Sequence, residues 1–254
     1  MQLIHHYHKK RGNKTACTKI LWYYCFFYHG NTIVAAIWTL FRKVPSLSHY
    51  FTKKQGSFKQ KPFTFSFAGN TYNWIGSKGV FAGTTFDEGT KLLLSVVLKN
   101  VCINESSENT PLAPFLDLGC GTGITGLIYG ETFPDYPVIL SDINTWAVQC
   151  TESNKHARKL TNVHCVVQDQ THAFKADSFS NIALNPPIRT GNKNILAMFE
   201  DCSRILNKSG SLYIVVRAKQ GAKRLSKMCL QWFRDSELMA RNKGYLVFRV
   251  SSPL

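Results

Sequence analysis

The chain has 254 residues, 44% of them hydrophobic and 18% charged, which suits a substantial buried core and excludes a disordered chain. Its net charge of +16 is uneven: residues 1–86 hold twelve basic and no acidic residues, 87–188 six basic and eleven acidic, and 189–254 thirteen basic and four acidic. Blocks of +12, −5 and +9 exclude a uniformly basic, histone-like chain and point to an anionic partner, nucleic acid or membrane surface, around a core with its own chemistry.

At the N-terminus, Lys9, Lys10, Arg11, Lys14 and Lys19 precede an uncharged run from Ile20 to Phe41, closed by Arg42-Lys43. The run is long enough to cross a bilayer as a helix. It is broken at its middle by His29-Gly30-Asn31-Thr32 and is rich in Tyr and Trp rather than Leu. No small-residue cleavage site follows, which argues against a secretory signal. Three readings of residues 1–43 stay open: a membrane segment at 20–41, an apolar extension packed on the domain, and translation upstream of a start at Val44. The third is preferred, because Val44-Pro45-Ser46 opens an ordinary globular sequence. The eight cysteines include no C-x-x-C pair and lie scattered through apolar segments. They read as small buried hydrophobes in a reducing compartment, and a cytoplasmic location is expected.

No internal repeat is visible. Phe63-Thr-Phe65-Ser-Phe67 alternates strictly, Ala68-Gly69-Asn70 signals a turn, and Thr71 to Ile75 follows, predicting a β-hairpin with three phenylalanines on one face. Core packing is the expected role of those rings, although an exposed aromatic of the 58–81 segment could stack on a base. Gly76, Gly79 and Gly83 mark a loop, Glu88 to Asn100 predicts a buried helix, and Asn104 to Pro114 a loop. Beyond it, strands are expected at Phe115–Leu118, Val138–Ser141, Val163–Gln168, Ile182–Leu184 and Leu212–Val216. Helices are expected around 124–132, 145–159, 194–206 and 221–233. A last strand, Tyr245–Val250, follows a hairpin signal at Asn242-Lys243-Gly244. This alternation predicts a doubly wound α/β domain with a parallel sheet covered on both faces.

Two loops carry the chemistry. The first is Leu116-Asp117-Leu118-Gly119-Cys120-Gly121-Thr122-Gly123, where a strand ends, glycines turn and a helix begins. Glycines admit a ligand close to the backbone, and the helix start offers N–H groups. Asp142, 23 residues beyond Gly119, stands where a carboxylate accepts both ribose hydroxyls of a nucleoside cofactor, and Asp169 where it meets an adenine amine. Gly121-Thr-Gly123-Ile-Thr-Gly126 also satisfies a dinucleotide fingerprint, so an NAD-binding oxidoreductase remains an alternative. The second loop is Asn185-Pro186-Pro187-Ile188-Arg189. Paired prolines hold an extended path, and the Asn185 oxygen and Pro186 carbonyl can accept both hydrogens of a planar –NH₂ group. Such a nitrogen is a poor nucleophile, and holding it in line with a methyl sulfonium supplies position and stabilises the developing positive charge. That chemistry needs no metal, and none is expected.

With acidic Asp117 two residues before its first glycine, the first loop resembles motif I of class I S-adenosylmethionine-dependent methyltransferases, and the second resembles their [DN]-P-P-[YFWI] motif. The ordered set Gly79-Val-Phe81, Asp87-Glu-Gly89-Thr90, the glycine loop, Asn185-Pro-Pro-Ile-Arg189, Lys219-Gln-Gly-Ala222 and Lys243-Gly-Tyr245 resembles the small methyltransferase domain of bacterial 16S ribosomal RNA guanine-N2 methyltransferases in single-domain form. It covers residues 46–251. The resemblance implies a Rossmann-like, mostly parallel seven-stranded sheet with helices on both faces, preceded by the hairpin. It also implies S-adenosyl-L-methionine as methyl donor and guanine N2 of small-subunit ribosomal RNA as acceptor, with Asn185, Pro186, Pro187 and Ile188 catalytic. Asp117, Gly119, Gly121, Gly123, Asp142, Asp169 and Asn185 would hold the cofactor. In this reading residues 44–254 are the methyltransferase domain: hairpin and first helix at 58–100, a cofactor half at 113–184 and a substrate half at 185–254. Ile188 in place of an aromatic residue disfavours DNA adenine and glutamine enzymes, and Ala82-Gly83-Thr84-Thr85 departs from the family's usual loop.

The basic residues fit an RNA partner. Arg189, Arg217, Lys219, Lys223 and Arg224 are the candidate RNA contacts, with Lys227 beside them and Leu225, Met228 and Trp232 as the core stripe of their helix. A monomer acting on ribosomal RNA or the small subunit is expected. The alternatives are methylation of RNA adenine or a protein glutamine amide, or a non-catalytic RNA-binding module. His156, His164 and His172 have no grouped partners and receive no role.

Overall fold

The computed structural model describes residues 57–100, 113–169, 171–188 and 191–254. Residues 1–43, the start of the family resemblance and Arg189 lie outside the described residues. The hairpin pairs β1 (Gln60–Phe67) with β2 (Asn70–Ser77), setting Phe63 opposite Trp74 and Phe65 opposite Tyr72. Its two-residue turn has positive φ at Ala68 (48°) and Gly69 (82°), the geometry that matches strand twist. After α1 (Glu88–Asn100), strands and helices alternate: β3 (Phe115–Leu118), α2 (Ile124–Thr132), β4 (Val138–Asp142), α3 (Thr145–Ala157), β5 (Val163–Val167), β6 (Phe179–Leu184), α4 (Asn192–Ile205) and β7 (Leu206–Arg217). A 3₁₀ turn (Ala218–Gln220), α5 (Ala222–Cys229), β8 (Phe233–Asn242) and β9 (Tyr245–Pro253) complete the described chain.

Seven strands form one sheet in the order β5-β4-β3-β6-β7-β9-β8. The first five are mutually parallel, and β9 runs antiparallel to both β7 and β8. Strand alternation divides the core. Phe115 of β3, Ala183 of β6, Tyr213 of β7 and Val247 of β9 face α1, α2 and the hairpin. Leu116, Ile182, Leu212 and Leu246 face α4 and α5.

Two expectations needed correction. The helix expected over 221–233 stops at Cys229, and its buried stripe is Ala222, Leu225 and Cys229. Met228 is only half-buried, and Trp232 lies beyond the helix, half-buried against the α4–α5 core. Phe233 instead opens β8, whose Glu, Leu, Met, Ala and Arg favour helix in isolation. Pairing with β9 across the Lys243-Gly244 turn overrides that preference. Strand β7 also begins earlier than expected, at Leu206, with a register shift against β6 between Phe179 and Asn181.

The hairpin is anchored to the glycine loop and to α3 by buried and part-buried hydrogen bonds. Trp74, 1% exposed, donates its indole N–H to the Thr122 carbonyl at 2.9 Å. Asn154 of α3 donates Nδ2 to Ile75 O (2.9 Å) and Thr122 O (3.1 Å) and accepts from Ile75 N (2.7 Å). Replacing Trp74 with alanine is expected to cost about 3–5 kcal/mol of unfolding free energy, and with phenylalanine about 1–2 kcal/mol, read from urea midpoints. Equal losses for the two variants would assign the whole effect to the hydrogen bond.

Candidate active site

The parallel pair β3–β6 is where chain order reverses direction across the sheet, the position at which α/β sheets open a crevice at their carboxyl ends. Leu118 and Leu184 are register partners there, so Gly119 and Asn185 leave the sheet side by side. An open cleft lies over this point, lined among others by Phe81, Asp87, Thr90, Asp117, Gly121 and Asn185. The structure thus brings together the two loops that sequence reading singled out separately.

The glycine loop needs its glycines. Gly119, Gly121 and Gly123 have φ of 73°, 58° and 81°, the left-handed region that side chains resist. A side chain at Gly121 would also point toward the Phe81 carbonyl, 3.6 Å from its Cβ, where the 78–87 loop folds over the cleft. Gly123 sits behind the loop, facing Thr151 and Leu127, and caps α2. Thr151 of α3 donates to Gly121 O at 3.0 Å, bracing the turn.

Asp117 shares the α2-facing side of β3 with Phe115, and its Oδ2 accepts the Gly126 N–H at 2.8 Å. Burial dominates and pushes this carboxyl up to about 7, against the lowering effect of that hydrogen bond. A ligand cation would restore its charge. Asp142 ends β4, accepts Gly121 N–H (2.9 Å) and Asn144 N–H (2.8 Å), and is likewise held above the usual carboxylate range by burial. It touches the cleft through the Gly121 hydrogen bond rather than lining it. Asp169, half-buried two residues past β5, also lies off the cleft lining. The pieces fit a nucleoside-bearing cation: a close-approach backbone, an undercompensated buried carboxyl and a second carboxylate at the next strand tip.

In the second loop, Asn185 is half-buried, Pro186 buried and Pro187 exposed. The Pro186 carbonyl accepts the Ile188 N–H at 2.8 Å, so one of its two lone pairs is already engaged. Ile188 packs on the α4–α5 core and does not line the cleft. Phe81, 65% exposed, is the large aromatic at the cleft. Lys219, Lys223 and Arg224 are exposed on the segment that follows β7. Arg217 is exposed as well, but its Nε donates to the Tyr245 hydroxyl at 2.8 Å and its guanidinium lies 4.7 Å over the Tyr245 ring. Arg189 lies outside the described residues.

Sequence reasoning quoted Asp87, Thr90 and Tyr245 without giving them a function. Asp87 and Thr90 meet Asn185, and Tyr245 meets Asp87, only through long-range contacts that leave no mark on the local sequence. Among the described residues, Cys120, Cys150, Cys165, Cys202 and Cys229 are free thiols, and no group of three His, Cys, Asp or Glu gathers to hold a metal. No helix of these residues is long and apolar enough to cross a membrane.

Known proteins share the sequence and the fold of this chain. The Bacillus subtilis (strain 168) protein YbxB is 31% identical over 204 residues, 79% of this chain and 96% of the relative. The ribosomal RNA small subunit methyltransferase C of Haemophilus influenzae (strain PittGG) is 26% identical over 220 residues, 81% of this chain and 60% of that protein. The chain therefore spans somewhat under two thirds of that ribosomal RNA enzyme. The T. thermophilus 16S rRNA N2 methyltransferase RsmC, solved with AdoMet and guanosine, shares the fold at a TM-score of 0.55 and 16% identity, over 76% of this chain and 45% of that one. The family described as "Methyltransferase small domain" matches residues 71–249, a span that runs from the hairpin through both cleft loops to β9, and the chain belongs to that family.

Proposed function

We propose that this protein transfers the methyl group of S-adenosyl-L-methionine to the exocyclic N2 amine of a guanine in small-subunit ribosomal RNA. The observation that carries the proposal is the meeting of the glycine loop and Asn185, the first residue of the Asn-Pro-Pro loop, at one cleft at the tips of adjacent strands. Asp117, Gly119, Gly121, Gly123, Asp142 and Asp169 form the cofactor side, and the cofactor supplies an electrophilic methyl group when bound. Asn185 Oδ1 and the remaining Pro186 lone pair accept the hydrogens of the acceptor amine. This orients the amine and stabilises the charge it gains. Pro187 stiffens the loop, and Ile188 fixes it to the core. Exposed Phe81 offers its ring to the base, which must leave its stack to be reached. The named activity of the Haemophilus influenzae relative supports a ribosomal RNA substrate, and Ile188 in the aromatic position of the motif supports guanine over adenine or glutamine.

A cytoplasmic monomer acting on the RNA or the assembled subunit completes the reading. Tritiated methyl transfer to small subunits, large subunits, naked RNA, DNA and protein tests it. Label in small-subunit RNA at guanine N2 is expected, and label in protein alone would overturn it. Titration with S-adenosylhomocysteine and with NAD separates the methyltransferase from the oxidoreductase alternative.

The basic edge that follows β7 supplies Lys219, Lys223 and Arg224, with Arg189 and the outer nitrogens of Arg217, as phosphate contacts. Removing both Lys223 and Arg224 is expected to flatten the slope of log affinity against log salt by about 1.4 for single-stranded RNA, with kcat little changed. An unchanged slope would leave these side chains as a solvated helix face.

A further inference from the structure

Asn185 can aim its amide oxygen at an acceptor amine only if something holds its amide nitrogen elsewhere. The two ends of an amide are nearly alike in shape, so the surrounding hydrogen bonds must choose. Here they do. Asn185 Nδ2 donates to Thr90 Oγ1 at 3.1 Å and toward Asp87 Oδ2 at 3.5 Å. The Thr90 hydroxyl proton goes to Asp87 Oδ2 at 3.3 Å, so Thr90 Oγ1 can only accept from Asn185. Turned over, the amide would set its oxygen against the Asp87 carboxylate, acceptor facing acceptor.

Asp87 is itself held from both sides. It precedes α1, and its Oδ2 accepts the Thr90 N–H at 3.0 Å, an ordinary helix cap. Its Oδ1 accepts from the Tyr245 hydroxyl at 3.1 Å, and that hydroxyl accepts from Arg217 Nε at 2.8 Å. Donors therefore point one way along the whole chain of contacts, from the Arg217 cation to the Asp87 carboxylate. Burial, chiefly, holds the Tyr245 phenol above its ordinary value, so it stays protonated and able to donate. Gly89 makes room for this. A Cβ there would lie 2.7 Å from the Tyr245 ring and 3.0 Å from Asp87 Oδ2. Thus Asp87-x-Gly89-Thr90 and Gly244-Tyr245, far apart in sequence, form one assembly at the tips of β6, β7 and β9.

We infer that Asp87, Thr90, Tyr245 and Arg217 are positioning residues that fix the Asn185 amide with its nitrogen inward and its oxygen toward the cleft. They thereby require an acceptor that donates hydrogen bonds, such as a planar –NH₂ group. This rests on the proposed methyl transfer and deepens it. Helix capping alone would ask less of Asp87, since serine also caps.

Asp87→Ser keeps a cap and removes the carboxylate from Asn185 and Tyr245. In the full chain it is expected to lower kcat per folded molecule about 10–100-fold, with KM and S-adenosylhomocysteine affinity within about threefold. Tyr245→Phe keeps the ring and removes the link, and a fall of about 3–10-fold is expected. A second readout needs no acceptor: the Asn185 side-chain amide resonance, assigned by its loss in Asn185→Asp. Its protons should exchange slowly with water in the wild type and fast in Asp87→Ser. Wild-type kcat and wild-type exchange in both variants would overturn the inference. If Asp87→Ser does not fold, Tyr245→Phe decides by the same two readouts. A wild-type protein that labels no RNA would overturn the substrate reading alone, and amide exchange would still decide this one.

Discussion

Asn185→Ala is expected to lower kcat by about 10²–10³-fold while changing S-adenosylhomocysteine affinity by less than about tenfold. The asymmetry follows from where the side chain stands. Asn185 leaves β6 beside Gly119, but its nitrogen is engaged by Thr90 and Asp87, and it has no hydrogen bond to the glycine loop. Its oxygen is the group left to meet an incoming amine. Alanine keeps the Asn-Pro-Pro backbone and the cleft, yet gives the amine no acceptor as its nitrogen gains positive charge. Asn185→Asp should fail as well, because a second carboxylate would then face Asp87. Single-turnover methyl transfer under saturating donor separates these effects from binding. A rise in KM with kcat intact would make Asn185 a simple binding residue.

A pH-dependent stability is the second large expectation, and it comes from Asp117. In the folded chain its carboxyl stands at about 7, whereas the ordinary value is 3.8, and burial is the cause. Below about pH 4 both folded and unfolded states hold the proton. Between about 4 and 7 the unfolded state releases it while the folded state keeps it, so stability falls as pH rises. Above 7 the full penalty, about 4 kcal/mol, is present. Asp117→Asn removes the charge and keeps an oxygen for the Gly126 N–H. Its stability relative to wild type should therefore rise by about 2–3 kcal/mol between pH 5 and pH 8, read from denaturant midpoints. A flat difference would mean that Asp117 does not titrate in this window. The same variant should bind S-adenosylhomocysteine poorly. Binding to the wild type near pH 6.5 should release a fraction of a proton, seen by calorimetry in two buffers. A carboxyl this costly to bury is understandable at a site that waits for a cation.

How far the sequence could be read varies with the element. Helix α1 was expected at Glu88–Asn100 and is observed there, because an apolar run that follows a capping aspartate leaves little choice. Strand β3 and helix α2 match as well, being bounded by the glycine turn. Strand β8 was missed. It has no alternation strong enough to outweigh its helix-favouring composition, and it is a strand because β9 offers it an edge. Placement of the site residues was similarly divided. Asp117, Gly119, Gly121 and Asn185 meet at one cleft, while Asp169 and Ile188 stand away from its lining.

By itself, the sequence determined what depends on near neighbours: strand and helix periods, the turn that only glycines can make, and the extended Asn-Pro-Pro loop. These rules act over a few residues and leave a local mark. Tertiary structure decided what depends on distant ones. It set β6 beside β3, joined Tyr245 to Asp87 across 158 residues, and joined Asn185 to Thr90 across 95. Strand order is chosen by burial and crossover geometry summed over the whole sheet. An amide's orientation is chosen by whichever donors and acceptors that order delivers to it. The uneven charge of the chain follows the same division. The acidic middle block holds the carboxylates of the glycine-loop side, and the basic C-terminal block begins where the Asn185 loop ends.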